Sequence, residues 1–229
     1  MNTRKMTLIT TTLAIALLFV GVGYAYTAYT SSNVDNNATI SYIELTQTEY
    51  TFAKNDIKFD TYNQDNATTF YYKVAENPVN LVIPGTTSDL NKTYQCGKLG
   101  SIEFNVAMKG ITTPPDYVKV TVHSSVNFDT SENWTYFIAD DNGNVYSYRN
   151  PTSETETWNE VSPILMNYSS TDNKIENVTV NVYYGFLTTG KTPKELGADK
   201  FYEATMPDPL EDGIINFKAE TVNQTPTNP

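Results

Sequence analysis

Val178, Val180, Val182, Tyr184 and Phe186 fall on every second residue, the longest apolar alternation in the chain. Successive side chains of a pleated strand point to opposite faces, so this spacing buries one face and leaves the other wet. The period recurs. Ile102, Phe104, Val106 and Met108 alternate with Glu103, Asn105, Ala107 and Lys109. Val118, Val120 and Val122 alternate with Lys119, Thr121 and His123, and Ile215, Phe217 and Ala219 form a last run. Weaker candidates cover residues 40–45, 49–52, 57–61, 70–75, 79–83, 134–139 and 145–149. One-sided alternation is the mark of antiparallel sheets, and roughly ten short strands separated by turn residues fill a sandwich. The predicted fold is therefore all-β, an antiparallel two-sheet sandwich of jelly-roll type. Helical periodicity is nearly absent, with a single turn of helix expected at 193–197. No internal repeat points to a propeller or solenoid.

The N-terminus follows a different rule. Arg4 and Lys5 precede an uncharged stretch, residues 6–34, whose most apolar part is 13–20. Gly23 and Ala25 then offer a small-x-small cleavage site, as in a signal peptide. The competing reading is an uncleaved membrane anchor helix over 6–26, with Tyr24, Tyr26 and Tyr29 as its outer aromatic belt. Both readings leave the N-terminus in the cytoplasm and the rest outside. The expected organisation is a signal peptide or anchor over 1–25, a polar linker or arm over 26–39, the sandwich over 40–220 and a flexible tail over 221–229. The protein is expected at the cell surface or outside the cell, anchored or secreted. The membrane is a partner through residues 6–26 unless these are cleaved.

Charge narrows the partners. The formal net charge is −11, and the first 25 residues carry only Arg4 and Lys5, so the exported part is more acidic still. Such a surface argues against nucleic acid and anionic lipid. Cys96 is the only cysteine, which rules out an intramolecular disulfide and reads as a small buried residue.

The chemistry-bearing residues form no catalytic, metal or cofactor constellation. Asp140, Asn142 and Asn144 alternate like the first ligands of a calcium loop, but Val145 stands where that loop needs glycine and Pro151 where it needs an acid. Asn142-Gly143 reads instead as a type I′ hairpin turn, in which both central residues have positive φ. His123, the only histidine, has outward parity on its strand, and no nucleophile motif accompanies it. The acid pairs Glu154/Glu156, Asp208/Glu211 and Asp140/Asp141 lie in loops, and glycosidase chemistry would need two such acids to face each other across a cleft. Trp134 begins an alternating strand and reads as core. Trp158 lies in a polar stretch and is the better exposed aromatic, with Tyr146 and Tyr148 as neighbours.

N-x-S/T sequons occur at Asn37, Asn66, Asn91, Asn133, Asn167, Asn177 and Asn223, each a candidate glycosylation site. About five would arise by chance in so Asn-, Ser- and Thr-rich a chain, so placement matters more than number.

The segment Gly-Val-Gly-Tyr-Ala-Tyr-Thr-Ala-Tyr (21–29), followed by a small polar stretch and then strands at once, resembles the camelysin and biofilm-matrix fibre proteins of bacteria and their archaeal bundling-pilus relatives. The composition is also similar to surface proteins of methanogenic archaea. The resemblance implies an exported jelly-roll protein without catalytic residues. It also implies self-association in which an N-terminal strand completes a neighbour's sheet, with 40–45 as the natural donor. A membrane-tethered module binding carbohydrate or peptide is the alternative expectation. A secreted hydrolase is a third, requiring acids from distant loops to converge.

Overall fold

The computed structural model describes residues 24–30, 41–47, 51–52, 57–63, 69–85, 90–109, 114–131, 133–151, 157–205 and 213–222. Residues 1–23, with Arg4, Lys5 and most of the hydrophobic segment, and residues 223–229 of the expected tail lie outside the described residues; the segment's last residues, 24–26, and the tail's first two, 221–222, are strand. Among the described residues every element is a strand and every strand pairing is antiparallel. The all-β class is as expected. The strands divide into three sheets rather than two.

Sheet A runs in the order β1 (Tyr24–Thr30), β2 (Ser41–Gln47), β7 (Lys92–Lys109), β14 (Val178–Leu187), β9 (Trp134–Ala139), β10 (Val145–Arg149) and β11 (Trp158–Glu160). β6 (Val79–Ile83) also joins it, paired to the start of β7. Sheet B is ordered β13 (Lys174–Ile175), β12 (Ile164–Ser169), β8 (Tyr117–Val126), β17 (Gly213–Val222) and β3 (Thr51–Phe52). Sheet C is ordered β15 (Lys194–Leu196), β16 (Asp199–Glu203), β5 (Phe70–Val74) and β4 (Phe59–Asn63).

β7 organises the molecule. One of its edges carries β14 from Tyr94 to Phe104. The other carries β6 at Lys92–Cys96 and β2 at Phe104–Lys109. A bulge places Leu99 as an extra residue between the pairs Val182↔Gly100 and Tyr183↔Lys98. Each residue added to a strand turns the following side chains to the opposite face. Tyr94 and Cys96 therefore face one core, while Ile102 and Phe104 face the other. That switch, with Gly97 and Gly100 beside it, hides the first half of β7 from a simple alternation search, which finds only 102–109.

The larger core lies between sheets A and B and continues under sheet C. Phe104 meets Phe217 edge-to-face at 4.9 Å, joining the first two sheets. Trp134, Tyr184 and Phe186 receive Phe59 and Tyr72 from sheet C, with Tyr72 5.3 Å and Phe59 5.1 Å from Trp134. The smaller core sits on the opposite face of sheet A, where β6 and β10 curl toward each other over Tyr94, Cys96, Phe137 and Tyr183. Both faces of β9 are thus covered, and all six of its residues are buried.

The outer strands close the sides. β11 is tied to β8 by the Lys119–Glu160 ion pair at 2.8 Å and by the Trp158 indole N–H donating to Ser125 Oγ at 3.0 Å. On the other side β1 runs beside β17. Residues 26–30, expected as part of a linker or arm, belong to β1. The helical turn expected at 193–197 is absent. Lys194 pairs with Phe201 and Leu196 with Asp199, and Gly197 turns the chain at φ 67°. Cross-strand pairing over a two-residue turn outweighs the weak propensity of three residues for a helix whose nucleus is costly.

Candidate functional site

The N-terminal hairpin lies at one end of sheet A. β1 and β2 pair from Tyr24↔Gln47 to Thr30↔Ser41, and β2 pairs onward with β7 from Tyr42↔Lys109 to Gln47↔Phe104. Ile43 and Leu45 of β2 are 2% and 1% exposed and belong to the main core. β1 ends its sheet: among the described residues no strand pairs with its outer edge. Ala25, the candidate cleavage point, lies opposite Thr46 in this hairpin. Cleavage after it would shorten β1 by its first two residues.

The aromatic trio expected around Trp158 is not brought together. A bulge between Val145 and Ser147 turns Tyr146 toward the main core and Tyr148 toward the small one. Trp158 is half-buried and packs edge-to-face on Phe128 at 5.4 Å. A different aromatic group appears on the face of sheet C turned away from sheet A. Tyr62 lies 6.2 Å from Tyr71 and 6.4 Å from Phe201. Lys194 Nζ sits 5.9 Å over Tyr62 and Lys73 Nζ 5.6 Å over Phe201, distances suited to cation–π attraction. Asp199 and Asp60 hold Lys73 at 3.0 and 3.4 Å. No sequence signal marks this group, because β4 and β5 meet β15 and β16 from more than 100 residues further along the chain.

The Asp140 loop uses its carboxylate internally. Asp140 Oδ1 accepts from the backbone N–H groups of Asn142 (2.9 Å) and Asn144 (2.8 Å), and Oδ2 from the Asn144 side chain (2.7 Å). Burial raises the Asp140 pKa, but these hydrogen bonds outweigh it and leave the carboxyl below its usual range. The expected type I′ turn is not formed. Gly143 has φ 84° while Asn142 is not in the positive-φ region, and the turn closes from Gly143 N–H to the Asp140 carbonyl at 3.2 Å. The capped loop holds its chain ends through the carboxylate, so a second left-handed residue is not required. Asp141 faces the other way. It accepts from Asn181 Nδ2 at 2.7 Å and lies 3.6 Å from Lys98 Nζ. Asn181 is 2% exposed and fully occupied: Ser101 donates to its Oδ1 at 2.8 Å, and its second N–H reaches the Tyr183 hydroxyl at 3.3 Å.

The described sequons differ sharply. In Asn133-Trp134-Thr135 the hydroxyl of Thr135 is buried and donates to the Arg149 carbonyl. Asn133 itself accepts from Lys191 Nζ at 3.2 Å and donates to Thr205 Oγ1 at 3.4 Å. This sequon is part of the framework. Asn91 is exposed, with its Oδ1 accepting from Gly85 N–H at 2.9 Å. Asn167 is exposed and donates to Glu176 at 2.9 Å. Asn177 and Thr179 are both exposed at the start of β14. Asn37, Asn66 and Asn223 lie outside the described residues, as do Glu154, Glu156, Asp208 and Glu211.

His123 is exposed, as its parity predicts. Cys96 is fully buried, and burial pushes its thiol well above the ordinary range, which suits a packing role. An open groove of about 630 Å³ is lined by Pro114, Pro115, Asp116, Tyr117, Asn167, Tyr168 and Ser170. Among its described lining residues Asp116 is the one carboxylate. Among the described residues no cluster of His, Cys, Asp and Glu could hold a metal ion, and no helix is long and apolar enough to cross a membrane. Comparison with protein-family models, curated proteins and solved structures finds no match to this chain.

Proposed function

We propose that this chain is an exported, non-enzymatic surface protein of structural or adhesive type, assembling by exchange of its N-terminal strands. The supporting observation is the position of the β1–β2 hairpin. It closes the end of sheet A, contributes Ile43 and Leu45 to the core, and comes first in the described chain. A hairpin from a second copy could make the same backbone hydrogen bonds and fill the same apolar positions. The likeness of residues 21–29 to exported jelly-roll fibre proteins supports the same reading, and with it a place at the cell surface.

A disulfide trap tests it. Glu44 and Ala107 are directly paired between β2 and β7. In the variant Glu44→Cys/Ala107→Cys, exchange links the new cysteines between chains and gives a ladder on a non-reducing gel. A bond closed within one chain locks the hairpin and abolishes assembly until it is reduced. Assembled material whose disulfides are all within single chains sinks the strand-exchange reading.

A second reading, a tethered module binding carbohydrate or peptide, draws support from Tyr62, Tyr71 and Phe201 on the outer face of sheet C. It predicts that Tyr62→Ala and Tyr71→Ala abolish retention on a carbohydrate or peptide matrix while leaving assembly intact. Equal retention of parent and variants removes it.

A further inference from the structure

Asn142-Gly143 is the only Asn-Gly pair in the sequence. The structure places it at the tip of the β9–β10 hairpin, with Asn142 exposed. Glycine leaves its own backbone nitrogen unhindered, and among the described residues, Gly143's two chain neighbours aside, the one atom within 4 Å of a Cβ built there is Leu81 Cδ2, at 3.6 Å. The Asn142 side chain is therefore open to solvent, and the following residue adds no side chain to crowd it.

We propose that this turn is a site of spontaneous covalent modification, in which Asn142 converts to aspartate and isoaspartate. The Gly143 nitrogen attacks Asn142 Cγ. A C–N bond closes a five-membered succinimide, the Cγ–Nδ2 bond breaks, and ammonia departs with the proton from Gly143. Water then opens the ring at either carbonyl, so the products retain the main chain or route it through the former side chain. Solvent water is the only co-reactant.

The fold restrains this reaction only weakly. Gly143 N–H is held by the Asp140 carbonyl at 3.2 Å, and the Asp140 carboxylate also bonds the Asn142 side chain. Giving up one or two exposed hydrogen bonds slows the folded chain about ten- to a hundredfold relative to an unfolded peptide. The consequence is local but not trivial. The isoaspartyl product adds a methylene to a backbone whose Asn142 and Asn144 N–H groups share one carboxylate oxygen. It also shifts Asp141, the acceptor for buried Asn181. In an exported protein held long at a surface, the turn would record age.

The full chain is incubated in mildly alkaline buffer at physiological temperature, digested, and the peptide spanning 140–144 followed by mass and by elution. The expected result is growth of two isomers, each heavier by the replacement of NH₂ with OH, and none in Asn142→Gln. Conversion more than a thousandfold slower than in a synthetic peptide of the same sequence, or equal gain in Asn142→Gln, overturns the proposal. The readout does not depend on assembly, so it stands or falls separately from strand exchange.

Discussion

Gly185→Ala is the most demanding test of the central sheet. Gly185 lies in β14 directly opposite Cys96 of β7. A methyl group added there would sit 2.3 Å from the Gln95 carbonyl oxygen, 2.4 Å from Cys96 Sγ and 2.6 Å from Cys96 Cα. Two of these three atoms belong to the backbone, so no rotamer change relieves the clash. The strands must separate where β14 is also paired to β9 at Thr135. Overpacking of a core costs typically about 1–3 kcal/mol, and a rigid backbone obstacle puts this site at the upper end. With a urea slope near 2–3 kcal/mol/M, a loss of about 3 kcal/mol lowers the unfolding midpoint by about 1 M.

Urea titration followed by tyrosine and tryptophan fluorescence measures the shift, and Cys96→Ala supplies the second arm of a cycle. If Sγ were the obstacle, Cys96→Ala would cancel the cost of Gly185→Ala. Because the Gln95 oxygen and Cys96 Cα remain, more than half of the cost persists in the double variant. A midpoint within about 0.2 M of the parent for Gly185→Ala, or full rescue by Cys96→Ala, refutes the argument from close backbone approach.

Three further outcomes follow from the buried polar groups. Thr135→Val breaks the hydroxyl bond to the Arg149 carbonyl and costs about 1–3 kcal/mol in the same titration, whereas Thr179→Val, at an exposed position near the start of β14, stays within about 0.5 kcal/mol. Arg149→Met removes the guanidinium Nε that donates to the Phe128 carbonyl at 3.0 Å and strands a buried acceptor, a loss of about 1–3 kcal/mol; a neutral or stabilising result would assign the arginine no part in holding that loop. Burial pushes the Tyr94 hydroxyl from 10.0 up to about 12, and because the raised value favours the neutral folded form, its stabilisation is complete below pH 10 and lost as pH rises toward about 12. Stability measured across that alkaline window should fall in the parent and fall less steeply in Tyr94→Phe.

Much of the fold is legible in the alternation because one-sided burial leaves a period-2 signature. The strands at Val118–Val122 and Ile215–Ala219 are found this way; Val178–Phe186 is also found, although its second face is not wet but covered by the smaller core from Asn181 onward, and Trp134 is core as read. The third sheet is legible only in part: β4 and β5 fall on the candidates at 57–61 and 70–75, but their place in a separate sheet does not show. β4, β5 and β16 are short and aromatic on both faces, so their alternation says nothing about which face meets sheet A. The bulges are invisible for a related reason. The extra residues at Leu99 and Tyr146 carry ordinary side chains, yet each reverses the parity of everything after it. This is why Tyr146 and Tyr148, two residues apart and apparently on one face, end in different cores. The sequon spelling is equally blind to burial: Asn133 and Asn177 read alike, and only tertiary packing puts Thr135 at 0% exposure.

The burial of β2 also constrains how strand exchange would have to work. Removing Ile43 and Leu45 from the core gives up roughly 3–6 kcal/mol of apolar burial, before any loss of pairing with β7. A domain is stable by only about 5–15 kcal/mol, so a monomer with its hairpin withdrawn is a rare and nearly unfolded species. Two chains that swap hairpins recover the same contacts, which leaves the final balance nearly neutral and the barrier high. Exchange should then be slow from the folded monomer and fast during folding, when the site on β7 is briefly open. Refolding the chain at high concentration should yield assemblies that concentrating the native monomer does not. If native monomer and chain refolded at the same high concentration assemble to the same extent, the hairpin is not what joins the copies, and another surface must be sought.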